Sequence, residues 1–361
     1  MTNDTLALSA AGLRHFQALR ADAIQTVTER FYTKHGSLYA QFGQRGREAC
    51  REDLAFHLEF LRPVLEFGLL QPMVDYLRWL ANVLAARDIP EEHLALSLDW
   101  LAEFFAAKLP GEDAEIVVEA LHRTKLRFLE ADTTAPALYE MMPAPWPEAE
   151  AFQSALIAGD RRGATALLDQ TLAHGRSLVE AELHMIQPAL YGIGRKWQNN
   201  QVTVAQEHLA TAIAQSVMTR ALLKCEAPPA NGSSVLLACV EGNYHAVGLQ
   251  MVADAFQLAG WAVQFLGANV PTVALIGHIE LLKPDLLGLS VSFAQQLRVV
   301  KEIMSRLVQS QGDARPAVMI GGLAINQFNP LADQLGADAW CPNATTAVAA
   351  GLKFTAQPGV G

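Results

Sequence analysis

Apolar residues recur at helical spacing through the first third of the chain, and strand-like alternation is nearly absent there. One such helical face is formed by Leu54, His57, Leu58 and Leu61. Turn signals interrupt the pattern at residues 36, 68–72, 88–90 and 110–111. These features predict an all-helical N-terminal domain, residues 1–132, with about five or six helices.

The next segment, residues 133–148, is rich in proline and predicts an extended linker. It contains Pro136, Pro143, Pro145 and Pro147. Four amphipathic stretches follow, at 149–158, 161–174, 177–197 and 203–224. Their periodicity predicts a four-helix bundle over residues 149–230.

Beyond the bundle, apolar runs of strand length alternate with helical stretches, as in a parallel sheet covered on both faces. The predicted strands are 235–240, 262–266, 286–291, 317–320 and 339–341. Helices are predicted near 247–259, 273–282, 295–309 and 331–335. We expect residues 231–361 to form a flavodoxin-like (Rossmann-type) five-stranded parallel sheet, which makes the fold class of the chain α + α/β. Such sheets bind ligands beyond the carboxyl ends of their strands.

Charge and composition restrict the choice of partner. The net charge of -10 opposes binding to a phosphate backbone, so we expect no direct nucleic-acid contact. No apolar run reaches the ~18 residues of a membrane span, and residues 1–10 lack the basic start of a secretory signal, which predicts a cytoplasmic protein without a membrane partner. The four cysteines are too dispersed for a zinc site or a disulfide framework, and we expect free thiols.

The loop after the first predicted strand contains a candidate metal ligand, His245. A histidine in a loop is ordinarily just a polar residue, but a neutral imidazole is also a good ligand for a transition metal. Two further elements lie at the ends of predicted strands: Ser290-Val291-Ser292, separated from Gly248 by 41 residues, and Gly321-Gly322, separated from Ser292 by 28 residues. With these spacings the chain resembles the cobalamin-binding family that carries D-x-H-x-x-G, S-x-L and G-G.

The resemblance implies base-off, His-on cobalamin binding, with His245 as the lower axial ligand of cobalt. It makes Gly248, Ser290, Ser292, Gly321 and Gly322 cofactor-binding positions, with Ser290 as partner of the nucleotide base and the glycines providing backbone clearance. Two positions depart from the family pattern. Asn243 replaces the acidic residue that orients the imidazole, so a carboxylate would have to come from elsewhere, such as Glu241. Ser292 replaces an aliphatic residue.

The predicted bundle contains Trp197, then nine residues, then Glu207-His208. This pattern resembles the W-x9-E-H signature of CarH-type adenosylcobalamin photoreceptors, in which the tryptophan covers the upper face of the cofactor and the Glu-His pair contacts the adenosyl group. The resemblance implies a light-sensing regulatory protein that changes conformation or oligomeric state when light cleaves the cobalt-carbon bond. Gln198 stands where those receptors have a cobalt-capturing histidine, so His184 or His208 would have to take that role. Read alone, Trp197 and Glu207 fit ordinary core and solvated positions.

The order of domains, without a basic helix-turn-helix, is similar to that of photocobilins, which bind biliverdin beside cobalamin. That resemblance makes Asp53, His57, Arg78 and Trp79 candidate bilin contacts. Aromatic residues at helical spacing also suit a plain core or an interaction module.

Two alternatives to a photoreceptor remain. One is a corrinoid methyl carrier of a methyltransferase system, and the other is a light-independent cobalamin-sensing regulator. The chain lacks a P-loop, a nucleophile elbow and a zinc-hydrolase helix, so we expect a signalling protein and not an enzyme. Its output would pass through a homo-oligomer or a protein partner.

Overall fold

The structure is a computed structural model that describes residues 6–85, 87–130, 144–327 and 331–355. Contacts divide the chain into two compact units, with the boundary between Pro136 and Ala137. The predicted linker, residues 133–148, lies outside the described residues as far as residue 143. None of the described helices combines the length and the apolar character that crossing a bilayer requires.

The N-terminal unit is helical, as predicted. Its described helices are α1 (Ala10–Tyr39), α2 (Gly43–Phe67), α3 (Gln71–Ala85), α4 (Glu92–Lys108) and α5 (Gly111–Glu130). Ser9 caps α1 by accepting a hydrogen bond from the Gly12 N–H at 3.0 Å, and Gly68 ends α2 with a φ of 70°. The break predicted at Gly36 is a kink at His35 (φ -126°), after which α1 continues to Tyr39.

The second unit begins with a helical bundle. It consists of α6 (Glu148–Ile157), α7 (Arg161–Ala173), α8 (Leu178–Ala181), a π-helical turn (Glu182–Ile186), α9 (Gln187–Gln198) and α10 (Val204–Leu222). The chain from α8 through α9 acts as one helical element, so the bundle has the four predicted members. Polar caps set the helix starts: Asp160 caps α7, and capping boxes open α8 and α10.

A five-stranded parallel sheet follows in the same unit, with strand order β2-β1-β3-β4-β5. The strands are β1 (Ser234–Val240), β2 (Ala262–Val270), β3 (Leu286–Ser290), β4 (Ala317–Gly321) and β5 (Ala339–Trp340). The helices are α11 (Val247–Leu258), α12 (Thr272–Leu282), α13 (Leu297–Gln311), α14 (Leu323–Gln327), α15 (Leu331–Gln334) and α16 (Ala344–Thr355). This order is that of flavodoxin-like sheets, so the predicted fold class is confirmed.

Strand β2 is longer than predicted. Its register against β1 shifts after Leu237, and Gly267 has a φ of 77°. The glycine allows an irregularity that a side chain would resist, so the strand continues to Val270.

Candidate functional site at the carboxyl edge of the sheet

The ends of β1, β3 and β4 lie at one level of the sheet. Cys239 pairs with Ser290, and Ser290 pairs with Gly321. Because the strands are parallel, the loops that follow them emerge at the same edge. The chain changes direction between β1 and β3, so this edge is the topological switch point at which such sheets bind ligands.

His245 lies in the loop between β1 and α11, and its side chain is exposed. Its ring packs edge-on against Phe293, with the centroids 5.1 Å apart. The hydrogen bonds of His245 within residues 144–327 use its backbone: its N–H donates to Asn243 Oδ1 at 3.1 Å, and its carbonyl accepts from Cys239 Sγ at 3.7 Å. Both ring nitrogens are therefore available to a ligand.

The electrostatic surroundings keep this imidazole in the form that bonds a metal. Although His245 remains exposed, the surrounding protein atoms partly remove its ring from water and lower its pKa, and the Glu207 carboxylate acts in the opposite direction. The net direction is downward from 6.5, so His245 is mostly neutral at pH 7.

Asn243 positions the backbone of His245 and not its ring. The side chain is fully buried, and its Nδ2 donates to the Ser290 carbonyl at 2.9 Å while its Oδ1 accepts from the His245 N–H. Glu241 does not replace the missing acidic residue, because its Oε2 accepts from the Thr272 N–H at the start of α12. The suggestion that Glu241 orients the imidazole is therefore wrong for this structure.

Gln296 joins the same two loops, and sequence reasoning missed it. Its Nε2 donates to the Gly242 carbonyl at 2.9 Å, and its Oε1 accepts from the N–H groups of Ser292 and Phe293. The side chain is buried, 5% exposed. A glutamine four residues after Ser292 is unremarkable in the sequence, and its role depends on the fold bringing Gly242 beside it.

The paired glycines are required by the protein's own backbone. A Cβ on Gly321 would lie 2.8 Å from the Cys341 carbonyl oxygen, and one on Gly322 would lie 2.5 Å from that of Val291. Gly322 also has a φ of 96°. The space at these two glycines, which we expected a nucleotide to occupy, is therefore filled by the carbonyl groups of Cys341 and Val291. Ser290, beside them, is 7% exposed, and its hydroxyl acts on the buried Cys239 thiol.

Open space lies instead on the His245 loop. A Cβ on Gly242 or on Gly248 would meet nothing within 4 Å. Gly248 is exposed in the first turn of α11, one turn from the histidine. The surface at these two glycines, beside the candidate ligand, is therefore open.

The bundle brings Glu207 towards this edge. Glu207 lies in the first turn of α10, its side chain is 31% exposed, and its Oε1 accepts from the Thr211 hydroxyl at 3.0 Å. It acts on the pKa of His245, which places it within electrostatic range of the candidate ligand. Trp197 is half-buried in the last turn of α9, just before the connection to α10.

The two histidines proposed as substitutes for the residue at Gln198 differ in their freedom. His184 Nδ1 donates to the Ala144 carbonyl at 2.9 Å, and its ring stacks on Trp146 at 5.1 Å. His208 is 74% exposed and contacts Glu207 through Nδ1. His184 is held by these contacts, whereas His208 faces solvent.

In the N-terminal unit the structure brings some of the bilin candidates together. His57 is 1% exposed, and its Nδ1 lies 2.6 Å from the Asp53 carbonyl and 3.0 Å from the Tyr76 hydroxyl. Tyr76 stacks on Phe60 at 4.1 Å and neighbours Trp79 at 6.1 Å. Tyr76 and Phe60 were not among the predicted site residues.

Burial changes the acid-base properties of this cluster. It lowers the pKa of His57 to about 4 and raises that of Asp53 to about 6, with Glu52 adding to the latter shift. A carbonyl only accepts, so Nδ1 carries the proton and His57 Nε2 is a buried acceptor without a hydrogen bond among the described residues. Arg78 Nε is likewise buried without a hydrogen bond among the described residues, and the Arg78 charge acts to lower the pKa of Asp75. No described contact joins Arg78 to His57.

The residues at the sheet edge fit cobalamin. Bonding to cobalt in a corrin requires a single neutral nitrogen donor, and His245 supplies it with both ring nitrogens available. A corrin also requires open space beside that donor, and no protein atom crowds Gly242 or Gly248 on the same loop.

Comparison with known families supports the same class. Residues 148–222 and residues 233–351 each match a B12 binding domain family. The chain is therefore a cobalamin-binding protein, with one such domain in the bundle and the other in the sheet.

Individual relatives fall into two groups. The chain is 29% identical to the HTH-type transcriptional repressor CarH of Myxococcus xanthus over 194 residues, 52% of this chain and 63% of the repressor. It is 32% identical to the dimethylamine corrinoid protein of Methanosarcina barkeri over 117 residues, 32% of this chain and 54% of that protein. The chain thus spans less than two thirds of the length of either relative. The solved monomethylamine corrinoid protein of Methanosarcina barkeri matches with a TM-score of 0.49 and 21% identity, covering 56% of this chain and 96% of that one.

Proposed function

We propose that this chain is a light-sensing regulatory protein that binds adenosylcobalamin base-off and His-on, with His245 as the lower ligand of cobalt. The observation that carries the proposal is a neutral, accessible imidazole at the sheet's switch point, with Glu207 of the bundle within electrostatic range. Homology to CarH supports a regulatory role.

On the lower side, the chain's residues hold the ligand in place. Asn243 and Gln296 tie the loops after β1 and β3 together, which limits the movement of His245. Ser290 and Ser292 would contact the nucleotide of the cofactor, and Gly321 and Gly322 allow the strand ends beside them to approach each other closely.

Trp197 would cover the bound cofactor on the side facing the bundle, and Glu207 and His208 would contact its adenosyl group. When bound, adenosylcobalamin supplies a cobalt-carbon bond that light cleaves. His208, which is exposed and contacts Glu207, would supply the imidazole that binds cobalt after illumination, because Gln198 cannot. Repacking of α9 and α10 after illumination would alter the surface of the bundle and so the assembly state or a partner's binding.

The N-terminal unit binds biliverdin as a second chromophore in this proposal. His57 Nε2 is a buried acceptor to which no described residue donates, and a pyrrole N–H is a donor of the complementary kind. The Asp53 carbonyl and the Tyr76 hydroxyl contact His57, and Trp79 neighbours Tyr76. Addition of biliverdin to the purified chain should produce a long-wavelength absorption band, and His57→Leu should prevent it.

The test of the function is an absorption spectrum and a size measurement before and after green light, on protein loaded with adenosylcobalamin in the dark. We expect both to change on illumination. Protein loaded with hydroxocobalamin, which has no cobalt-carbon bond, serves as the control and should not respond. A spectrum and size that stay constant under light would refute the photoreceptor proposal.

A corrinoid methyl carrier is the second candidate, favoured by the match to the dimethylamine corrinoid protein. A carrier needs an open upper face for methyl donor and acceptor. Trp197→Ala should therefore leave the photolysis rate unchanged in a carrier, whereas it should speed photolysis in a photoreceptor that Trp197 covers. Photolysis at an equal rate in wild type and Trp197→Ala would favour the carrier.

A further inference from the structure

The bundle and the sheet domain meet along α10 and α11, and polar as well as apolar side chains join them. Gln215 of α10 donates to Gln250 Oε1 of α11 at 3.3 Å, and Gln250 Nε2 donates to the Thr219 hydroxyl at 3.3 Å. Met251 of α11 is buried in the core of the bundle. Separation of the two domains would therefore uncover α11.

Two carboxyl groups are buried at the same junction. Glu182 is 0% exposed and opens the π-helical turn of the bundle, and Asp254 of α11 is 5% exposed. Both carboxyl oxygens of Glu182 and Oδ2 of Asp254 are buried, and apart from the contact between these two carboxyl groups no described residue offers them a hydrogen bond. Single π-helical turns are rare and are often found at functional sites.

No described cation neutralises the pair. Within residues 144–327 no lysine, arginine or histidine forms an ion pair with Glu182 or Asp254. The titratable groups that raise the pKa of Glu182 are Asp254 and the Cys225 thiol, which follows α10. Two ionised carboxylates in such a place would repel each other and would both lack solvation, so at least one of them is protonated.

We propose that Glu182 and Asp254 share one proton and act as a latch that holds the bundle on α11 only while that proton is bound. The proton resides on Glu182, and Asp254 accepts from it. Nothing in this latch requires cobalamin or light.

The direction of the pH effect follows from burial. Burial first, then the neighbouring Asp254, raises the pKa of Glu182 well above 4.5, and burial raises the pKa of Asp254. The docked state therefore holds a proton that a separated, hydrated pair would release. Docking is most favourable at pH values below the ordinary carboxyl pKa, and it weakens as the pH rises through the raised pKa of the docked Glu182.

Infrared spectroscopy of the full chain near neutral pH tests the shared proton directly. We expect the C=O stretch of a buried protonated carboxyl in the wild type. It should disappear in Glu182→Gln and weaken in Asp254→Asn, which removes the like charge. Glu150→Gln changes an exposed carboxyl of α6 and serves as the matched control, with the band unchanged. Absence of the band from the wild type would overturn the proposal, whether or not either variant folds.

Urea unfolding at several pH values tests the latch. Glutamine at position 182 mimics the protonated acid, so Glu182→Gln should match the wild type near pH 5 and exceed its midpoint near pH 8. Parallel pH profiles in wild type and Glu182→Gln would refute a latch. A profile that depends on added divalent cation and is abolished by a chelator would instead identify a cation as the occupant and overturn the shared proton.

Discussion

Asn243 donates its side-chain amide to the carbonyl of Ser290 at 2.9 Å, and the same side chain accepts from the backbone N–H of His245. One buried residue therefore links the end of β3 to the loop that carries the candidate cobalt ligand. A carboxylate at this position would lose the donated hydrogen bond, which gives a physical reason for asparagine here.

Replacement of Asn243 by alanine should destabilise the sheet domain by about 1–3 kcal/mol, because the buried Ser290 carbonyl and the partly buried His245 N–H lose these hydrogen bonds. The free energy of unfolding in urea measures this. Asn199→Ala, at the exposed end of α9, is the control and should be nearly neutral. An equal effect of the two changes would show that the link to Ser290 contributes nothing to stability.

His245→Ala should lose the spectrum of histidine-ligated cobalamin. Changes to groups that only support a metal ligand typically weaken binding by about 10–100-fold, so loss of the ligand should weaken it at least as much. Equilibrium dialysis and the absorption spectrum measure the effect. His278→Ala removes a histidine of α12 that contacts Gln264, and it should bind cobalamin as the wild type does. Retention of the wild-type spectrum by His245→Ala would identify another ligand.

Cobalamin binding should weaken on acidification, and the pKa of His245 should set the pH range, here called the acid limb, over which the affinity falls. Only the neutral imidazole bonds cobalt, and the pKa of His245 lies below 6.5, so affinity should hold at neutral pH and fall once the pH drops through that lowered value. Glu207 raises the pKa of His245, so Glu207→Gln should move the limb to lower pH. Glu226→Gln, an exposed carboxyl beyond α10, should leave it in place. A limb that moves to higher pH in Glu207→Gln would contradict this electrostatic account.

Two glycine substitutions separate the demands of the fold from those of the ligand. Gly322→Ala should cost about 2–4 kcal/mol, because it forces a left-handed conformation and a contact with the Val291 carbonyl. Gly248→Ala meets open space, so its unfolding midpoint should be close to that of the wild type while its cobalamin affinity falls. The opposite pattern, a stable Gly322→Ala or a destabilised Gly248→Ala, would exclude this division of roles.

The sequence was sufficient to predict the fold and the edge of the sheet at which the candidate site residues lie, because both depend on local patterns. Alternating apolar runs and helices define the parallel sheet, and parallel strands necessarily present His245, Ser290 and Gly321 at one edge. Contacts made by ordinary residues were not predictable. Gln296 and the acid pair of Glu182 and Asp254 follow from no motif, and their roles arise only when separate segments pack together.

The N-terminal unit shows the same limit. Helical periodicity predicted its helices, but His57 lies on the buried stripe, where a histidine and a leucine fit the pattern equally well. Only packing reveals that Tyr76 and the Asp53 carbonyl contact one ring nitrogen of His57, while the other has no hydrogen-bond partner in the part of the chain that the structure describes.

The most direct test of the central claim is electron paramagnetic resonance of the chain reconstituted with cob(II)alamin after its histidines are labelled with ¹⁵N. Ligation by His245 predicts that each cobalt line splits into a doublet, from the ¹⁵N nucleus, and that His245→Ala abolishes this splitting. A triplet from unlabelled nitrogen, as the cofactor's own dimethylbenzimidazole would produce, would contradict the account.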